Sequence, residues 1–163
     1  MTYALLLLAL LLVAITMGLA LAHALELPGK RRLGDDEYRT VQAIYYPGFT
    51  IGGLVGELGG ILVLAILIFL LPFDSQRFWW TAVALACMLL LHATYWLVTH
   101  PANSVWLEET ELSGPGAAFF SALTRDKDGR DPNRLRATWE ASHVARAGFG
   151  IAALLAMAVA LSL

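Results

Sequence analysis

The chain has 163 residues, of which 58% are hydrophobic and 15% charged, and its formal net charge is −2. A charged fraction well below the roughly 25% of ordinary soluble domains indicates a membrane protein. The lack of a basic surplus argues against a nucleic-acid partner. The single cysteine, Cys87, excludes an internal disulfide and a cysteine-based zinc site.

Four apolar runs are long enough to cross a bilayer, which takes about 20 residues of helix. They predict helices at about residues 3–26, 48–72, 78–100 and 132–163. The first run lacks a basic start and is too long for the apolar part of a signal peptide, so we expect it to be retained. The sequence therefore predicts a single all-α domain, an integral membrane four-helix bundle in contact with the lipid bilayer.

The basic residues predict the orientation of this bundle. They lie mainly in the first and third connections between predicted helices, whereas the second connection holds only Arg77. In a four-helix protein the first and third connections face the same side of the membrane, and the positive-inside rule makes that side cytoplasmic. We therefore expect both termini on the non-cytoplasmic side, in a bacterial inner (plasma) membrane.

Two connections carry helix signals of their own. Asp35 is a candidate N-cap for an extra short helix in the first connection, which Pro47 is expected to end. Asp131 followed by Pro132 starts a helix in the third connection, with proline at the first helical position. No strong breaker follows, so predicted helix 4 is extended, about 48 Å long, and projects out of the bilayer.

Gly52, Gly56 and Gly60 are spaced at four and line one face of predicted helix 2. Small residues at this spacing permit close contact between membrane helices. We expect this face to pack inside the bundle; the alternative is that it binds a membrane protein partner.

Ionisable residues inside the spans are the candidate functional groups, because such residues are costly in lipid and face a protein interior. His23 and Glu26 share a face at the end of predicted helix 1. Glu57 lies about 14 Å inside predicted helix 2. We expect Glu57 to be protonated, paired with a histidine or Arg146, or bound to a cation.

Predicted helices 3 and 4 bring further polar groups to the same cytoplasmic half. His92 lies about 12 Å deeper than His100, which is at the boundary. Trp139, His143 and Arg146 form one stripe at the start of predicted helix 4.

A metal site is one interpretation of this convergence. A mononuclear zinc or non-haem iron site would use ligands from His23, Glu57, His92 and His143. Glu140 and His143 have the Glu-x-x-His spacing of di-iron bundles, but those bundles need two such motifs and two further carboxylates. The cofactor is unknown from the sequence, and a single His/Glu-bound metal is an alternative to having none.

Three segments resemble the anthrone oxygenase-like family of small four-helix membrane proteins. They are AHALELPGKRRLGDDEYRTVQAIYYPGF, HPANSVW and TWEASHVARAGFG, in the family's order over nearly the whole chain. The matching positions are His23, Glu26, Asn103, Trp139 and His143. Arg146 lies near the place where members often have an asparagine. Some fungal members are linked to the oxidation of anthrones to anthraquinones, so the resemblance implies an oxygenase without a conventional flavin or haem.

The sequence thus predicts a cofactor-independent oxygenase or oxidoreductase acting on an apolar aromatic or quinol-like small molecule in a polar cavity of the cytoplasmic half. His143 or His23 would be the base, Glu26 would orient one of them, and Arg146 or Asn103 would hold a developing oxyanion. The predicted substrate-binding residues are Tyr38, Gln42, Tyr46, Glu57, His92, Asn103 and Trp139.

Two other functions stay open. The protein could be a non-catalytic accessory subunit of a larger membrane complex. It could also be a membrane protein that binds a metal or a small ligand.

Overall fold

A computed structural model of the protein describes residues 1–106 and 132–163. These residues form helices and short connections, with no strand among them. The helices are α1 (Thr2–Lys30), α2 (Asp35–Gly53), α3 (Gly59–Leu70), α4 (Gln76–Thr94), α5 (His100–Trp106) and α6 (Pro132–Ser162). A π-helical turn, Leu54–Leu58, joins α2 to α3, and a second one, Tyr95–Thr99, joins α4 to α5.

Four stretches of the described helix are long and apolar enough to cross a membrane. They are Thr2–Lys30, Gly48–Leu70, Gln76–Asn103 and Arg134–Ser162. The prediction of four helices with membrane-spanning length and composition is therefore confirmed.

The predicted break at Pro47 is wrong, because α2 continues through it to Gly53. The extra helix of the first connection and predicted helix 2 therefore form one helical rod. A proline removes only one helical hydrogen bond, and membrane helices tolerate that loss when neighbouring groups satisfy the freed carbonyl. The N-cap is also one residue earlier than predicted: it is Gly34, whose backbone N–H donates to Glu37 Oε2 at 3.1 Å.

Two further helix ends differ from the prediction. The first helix passes residue 26 and ends at Lys30, and the α4–α5 rod passes residue 100 and ends at Trp106. At its start, Ser75 caps α4 by accepting a hydrogen bond from the Phe78 N–H at 3.1 Å. The start of α6 at Pro132 agrees with the sequence, whereas the proposed cap Asp131 lies outside the described residues.

Apolar and polar side chains segregate along the helix axes. The buried aliphatic core draws on the first half of α1, on α3, on α4 up to Met88 and on the second half of α6; examples are Leu6, Leu64, Met88 and Met157. The opposite ends of the same rods bury polar groups instead, including His23, Glu57, Thr99 and His143. Aliphatic packing therefore supports one end of the molecule, and the candidate site lies at the other.

The glycine face of predicted helix 2 packs against α1 of the same chain. A Cβ on Gly56 would lie 2.8 Å from Thr16 Oγ1 and 3.2 Å from the Leu12 carbonyl oxygen. A Cβ on Gly52 would lie 2.9 Å from Leu19 Cδ1. The predicted intramolecular packing is therefore confirmed at Gly52 and Gly56, where α1 lies in the place that the alternative gives to a partner protein.

Candidate functional site

Two imidazoles meet at the polar end of the molecule. His23 near the end of α1 and His143 near the start of α6 have ring centroids 4.4 Å apart. The Trp139 ring lies 4.2 Å from His143 and 5.2 Å from His23. From α2, Phe49 and Tyr45 contact His23 at 4.5 Å and 5.2 Å. We call these five residues the imidazole cluster; both histidines are buried, with 9% of His23 and 5% of His143 exposed.

Lys30 is a buried cation beside this cluster, with 3% of its surface exposed. Its ammonium lies 3.5 Å from His23 Nδ1 and 2.9 Å from Glu26 Oε2. The same ammonium faces the rings of Tyr45 at 4.5 Å and Trp139 at 5.0 Å. A carboxylate and two aromatic faces thus replace the water that a lysine would otherwise keep.

His143 Nδ1 is the unsatisfied atom of the cluster. It is buried and has no hydrogen-bond partner among the described residues. Buried polar atoms are nearly always paired, so an unpaired one needs an explanation such as a catalytic role. A neutral imidazole nitrogen in this position has capacity to accept a proton or a hydrogen bond from a ligand.

Hydrogen bonds from two other helices fix the part of α6 that carries His143. Trp139 Nε1 donates to Asn103 Oδ1 at 2.6 Å. Thr99 Oγ1 donates to Ser142 Oγ at 2.9 Å, and Ser142 Oγ donates to the Trp139 carbonyl at 2.7 Å. These bonds hold the part of α6 around His143 in place, and they fix Trp139, whose ring packs against His143 at 4.2 Å.

A second group of polar residues surrounds the buried Glu57. Glu57 Oε1 lies 2.6 Å from His92 Nδ1, and Glu57 Oε2 lies 2.7 Å from an Arg146 Nη atom. Trp96 Nε1 donates to His92 Nε2 at 3.0 Å. We call Glu57, His92, Trp96 and Arg146 the Glu57 network. Of the three outcomes expected for Glu57, the structure has the paired one, since a histidine and Arg146 both contact its carboxylate.

The partners of His92 define its protonation. Indole N–H is only a donor, so His92 Nε2 must accept from Trp96 and carries no proton. The proton is then on Nδ1, from which it is donated to the Glu57 carboxylate. Both ring nitrogens of a neutral imidazole are used in this way, so His92 has no free lone pair for a metal.

The two π-helical turns bring this network together. Glu57 is inside the turn Leu54–Leu58, and Trp96 is inside the turn Tyr95–Thr99. A π-helical turn inserts one residue into a helix and is frequent at functional sites. Here each turn brings a polar or aromatic residue to the contact between helices.

Arg146 connects the two groups. It lies three residues after His143 on α6, so the two side chains share a face. One guanidinium nitrogen binds Glu57, and the guanidinium carbon lies 5.1 Å from the Tyr95 ring centroid. Arg146 Nε is buried without a hydrogen-bond partner among the described residues, and 9% of the residue is exposed.

A polar cap covers the end of the cluster. The Arg136 guanidinium lies 4.1 Å from the Tyr38 ring centroid and donates to the Lys30 and Leu33 carbonyls at the end of α1. It also binds Glu140 at 3.3 Å. Burial raises the pKa of the Tyr38 hydroxyl above its ordinary value, and the nearby Glu140 acts in the same direction. Tyr38 and Gln42 are both buried, so α2 reaches over this end of the molecule.

The structure divides the predicted site residues into these three groups. His23, Glu26, His143 and Trp139 come together at the imidazole cluster, with Asn103 holding Trp139. Glu57, His92 and Arg146 form the Glu57 network, and Tyr38 and Gln42 belong to the cap. The Tyr46 side chain lies outside the described residues.

The proposed metal ligands are separated by this division. His23 and His143 are in one group, and Glu57 and His92 are in the other. Within residues 1–106 and 132–163 there is no set of three or more His, Cys, Asp or Glu that could hold a metal ion. Glu140 binds Arg136 and Arg31 instead of completing a site with His143.

Two features of the site were not found in the sequence. Lys30 follows the predicted end of the first helix near residue 26, so the sequence pattern places it in the first connection. Phe49 lies inside the apolar run of predicted helix 2, where nothing in the run marks it as a site residue. The helical spacing of Gln42, Tyr45 and Phe49 is the signal that could have placed Phe49 with the cap residues on one face.

Comparison with known proteins adds no relative: no family model, curated protein or solved structure matches the chain.

Proposed function

We propose that the protein is an integral membrane oxygenase of the anthrone oxygenase-like type, with the imidazole cluster as its proton-abstracting site. The observation that carries the proposal is the buried His143 Nδ1, which has no partner among the described residues. A structural histidine would have both nitrogens satisfied, as His92 does. A base requires the opposite, a nitrogen that is held in place and left free.

The surroundings of His143 favour a flat, apolar substrate. Aromatic rings of Trp139, Tyr45 and Phe49 surround the two imidazoles. Aromatic faces bind other rings by stacking or edge contact and contribute about 0.5–1.5 kcal/mol per pair beyond burial. An anthrone-like or quinol-like molecule has this shape and reaches the protein through the lipid.

The proposed reaction uses dioxygen as its oxidant. His143 Nδ1 removes a proton from an activated C–H bond, and the electron pair stays on carbon. The carbanion reacts with dioxygen, and the returning proton gives a hydroperoxide. Loss of water then leaves a carbonyl group, so that one CH2 and one O2 become one C=O and one H2O. The balance requires no further oxidant.

Other residues of the site take supporting roles in this proposal. Arg146 Nε–H is a buried donor without a partner among the described residues and is suited to an oxyanion. Asn103 Oδ1 accepts from Trp139 at 2.6 Å, so we assign Asn103 to positioning Trp139. Glu26 lies 3.6 Å from His23 Nδ1 and orients that ring.

Access from the lipid is proposed to occur beside α2. Tyr45 and Phe49 of α2 cover His23, whereas Ile44 and Ile51 on the same helix are 73% and 66% exposed. An apolar outer face suits a helix bordered by lipid. In this proposal the four spans form a bundle with both termini on the non-cytoplasmic side of a bacterial inner membrane, and the imidazole cluster lies in its cytoplasmic half.

Oxygen consumption by the purified protein with an anthrone tests the proposal. We expect His143→Ala to abolish turnover while the protein stays inserted and helical. His92→Asn is the matched control, since it changes a histidine outside the imidazole cluster and keeps a donor for Glu57.

Three results would contradict the proposal. His143→Ala with normal turnover would exclude the base, and failure of both His143→Ala and His143→Asn to accumulate would make the residue structural. Absence of turnover together with a stable partner complex after mild detergent extraction would favour the accessory-subunit alternative.

A further inference from the structure

The α2 helix is held differently at Pro47 and in the turn that follows it. One turn after the proline, the helix is packed tightly against α1, since a Cβ on Gly52 would lie 2.9 Å from Leu19 Cδ1. Next to the proline the backbone has room, since a Cβ on Gly48 would meet no atom within 4 Å. The later part of α2 is therefore fixed to α1, whereas the junction at Pro47 is free to bend.

Pro47 also weakens the helix at this junction. Proline has no backbone N–H, so the Ala43 carbonyl lacks its helical hydrogen bond, and helices bend most sharply at such positions. Residues 35–46 precede the membrane-spanning stretch, which begins at Gly48. About three turns of α2 can therefore tilt against the rest of the rod without moving a membrane span.

Two tyrosines of these first turns lie against cations that other helices hold in place. Tyr38 faces the Arg136 guanidinium at 4.1 Å. Tyr45 faces the Lys30 ammonium at 4.5 Å. Arg136 is fixed by carbonyls at the end of α1, and Lys30 is fixed by Glu26 at 2.9 Å. Because α1 holds both cations, the two tyrosines can leave them and return to the same contacts.

The first turns of α2 cover the imidazole cluster. The Tyr45 ring lies 5.2 Å from His23, and His143 Nδ1 is buried, so a substrate reaches this nitrogen only when a covering element moves. We propose that residues 35–46 form a lid over the imidazole cluster, hinged at Pro47 and held shut by the contacts of Tyr38 and Tyr45 with their cations. The inference rests on the proposed function in taking His143 as the group that a substrate has to reach.

Modification of single histidines by diethyl pyrocarbonate measures how often this lid opens. The full chain is treated in nanodiscs of phosphatidylcholine, and mass spectrometry of its peptides gives one rate for each of its four histidines. His23 and His143 belong to the imidazole cluster under the lid. His92 belongs to the Glu57 network, and His100 stacks on Trp96 at 5.0 Å. His92 and His100 are therefore internal references for a general loosening of the bundle.

Two substitutions in α2 should change these rates in opposite directions. Tyr38→Leu should raise the rates of His23 and His143 about fivefold, which corresponds to about 1 kcal/mol and is the size of one cation–π contact. Tyr38→Phe is the matched control, because it keeps the ring that faces Arg136. Pro47→Ala should lower both rates below those of the wild type, since alanine restores the missing helical hydrogen bond and stiffens the hinge. A variant that only disturbs the fold cannot slow the modification.

The lid is overturned if Tyr38→Leu and Tyr38→Phe give the same rates at His23 and His143, or if Pro47→Ala does not slow them. An equal rise at the two reference histidines would also overturn it, because the whole bundle would then be looser. Oxygen consumption is measured separately with an anthrone. Rates that respond as expected without turnover would reject the oxygenase and keep the lid, whereas turnover with unresponsive rates would do the reverse.

Discussion

The imidazole cluster and the Glu57 network are polar groups at the same end of the molecule, and they differ in how completely their buried atoms are paired. In the Glu57 network, both carboxylate oxygens of Glu57 and both nitrogens of His92 have partners at 2.6–3.0 Å. In the imidazole cluster, His143 Nδ1 has none among the described residues. The Glu57 network holds the helices together, and the imidazole cluster has capacity for a ligand.

Arg146 belongs to both groups and explains why they are adjacent. Its charge is compensated by Glu57, while its Nε–H is left over on the side chain that shares a face with His143. A buried arginine without a carboxylate would be strongly destabilising. The Glu57 network therefore compensates the charge of Arg146 and makes it possible to keep this cation beside the imidazole cluster.

Glu57→Ala tests the structural role of the Glu57 network and has the largest expected effect on stability. It leaves Arg146 buried without its counter-ion and His92 without its acceptor. We expect a loss of about 3–5 kcal/mol in the free energy of unfolding, measured by denaturation in mixed micelles. Glu57→Gln keeps one acceptor for Arg146 and should lose less. Equal losses in the two variants would show that the carboxylate charge contributes nothing beyond its volume.

His92→Phe is the next largest change. It keeps an aromatic ring but removes the donor to Glu57 and the acceptor for Trp96. We expect about 2–3 kcal/mol of destabilisation, because a hydrogen bond to a charged group is lost and a buried oxygen of Glu57 is left unpaired. Unfolding in the same micelles measures it. Wild-type stability in this variant would mean that the His92–Glu57 contact is not formed in the membrane.

Gly56→Ala tests whether the frame next to Glu57 is as tightly packed as the contacts indicate. The new Cβ would lie 2.8 Å from Thr16 Oγ1 and 3.2 Å from the Leu12 carbonyl oxygen, so α1 has to shift. We expect a loss of about 1–2 kcal/mol in stability. Gly53→Ala is the matched control, since nothing lies within 4 Å of its Cβ. A Gly53→Ala variant as unstable as Gly56→Ala would argue against specific packing at Gly56.

Several features of the molecule were predictable because they depend on one helix at a time. Span lengths follow from apolar runs, and the close approach at Gly56 follows from glycines spaced at four. The depth of Glu57 and His92 follows from the helical rise, and it correctly placed them near the same level. That His23 and His143 lie at the same end of the molecule also followed from their positions along their helices.

Other features depend on how helices are rotated against each other, which sequence spacing does not give. That rotation assigns His92 to Glu57 and His23 to His143, and so divides the predicted metal ligands. α2 also continues through Pro47, where the sequence pattern predicts a stop. Lys30 became a site residue only because α1 continues to it, a difference of one helical turn.

His143→Phe is the counterpart of His92→Phe and has the smallest expected effect on stability. It keeps a ring in the same aromatic surroundings and removes a nitrogen that has no partner among the described residues. Replacing an unpaired polar atom by an apolar group of similar shape is nearly neutral, so we expect a change within about 0.5 kcal/mol. Oxygen consumption should nevertheless be lost, since no base is left. The contrast between the two phenylalanine variants is the sharpest form of the comparison: stability should depend on His92 and activity on His143. If His143→Phe were as destabilising as His92→Phe, the His143 nitrogens would have structural partners and the case for a base would be lost.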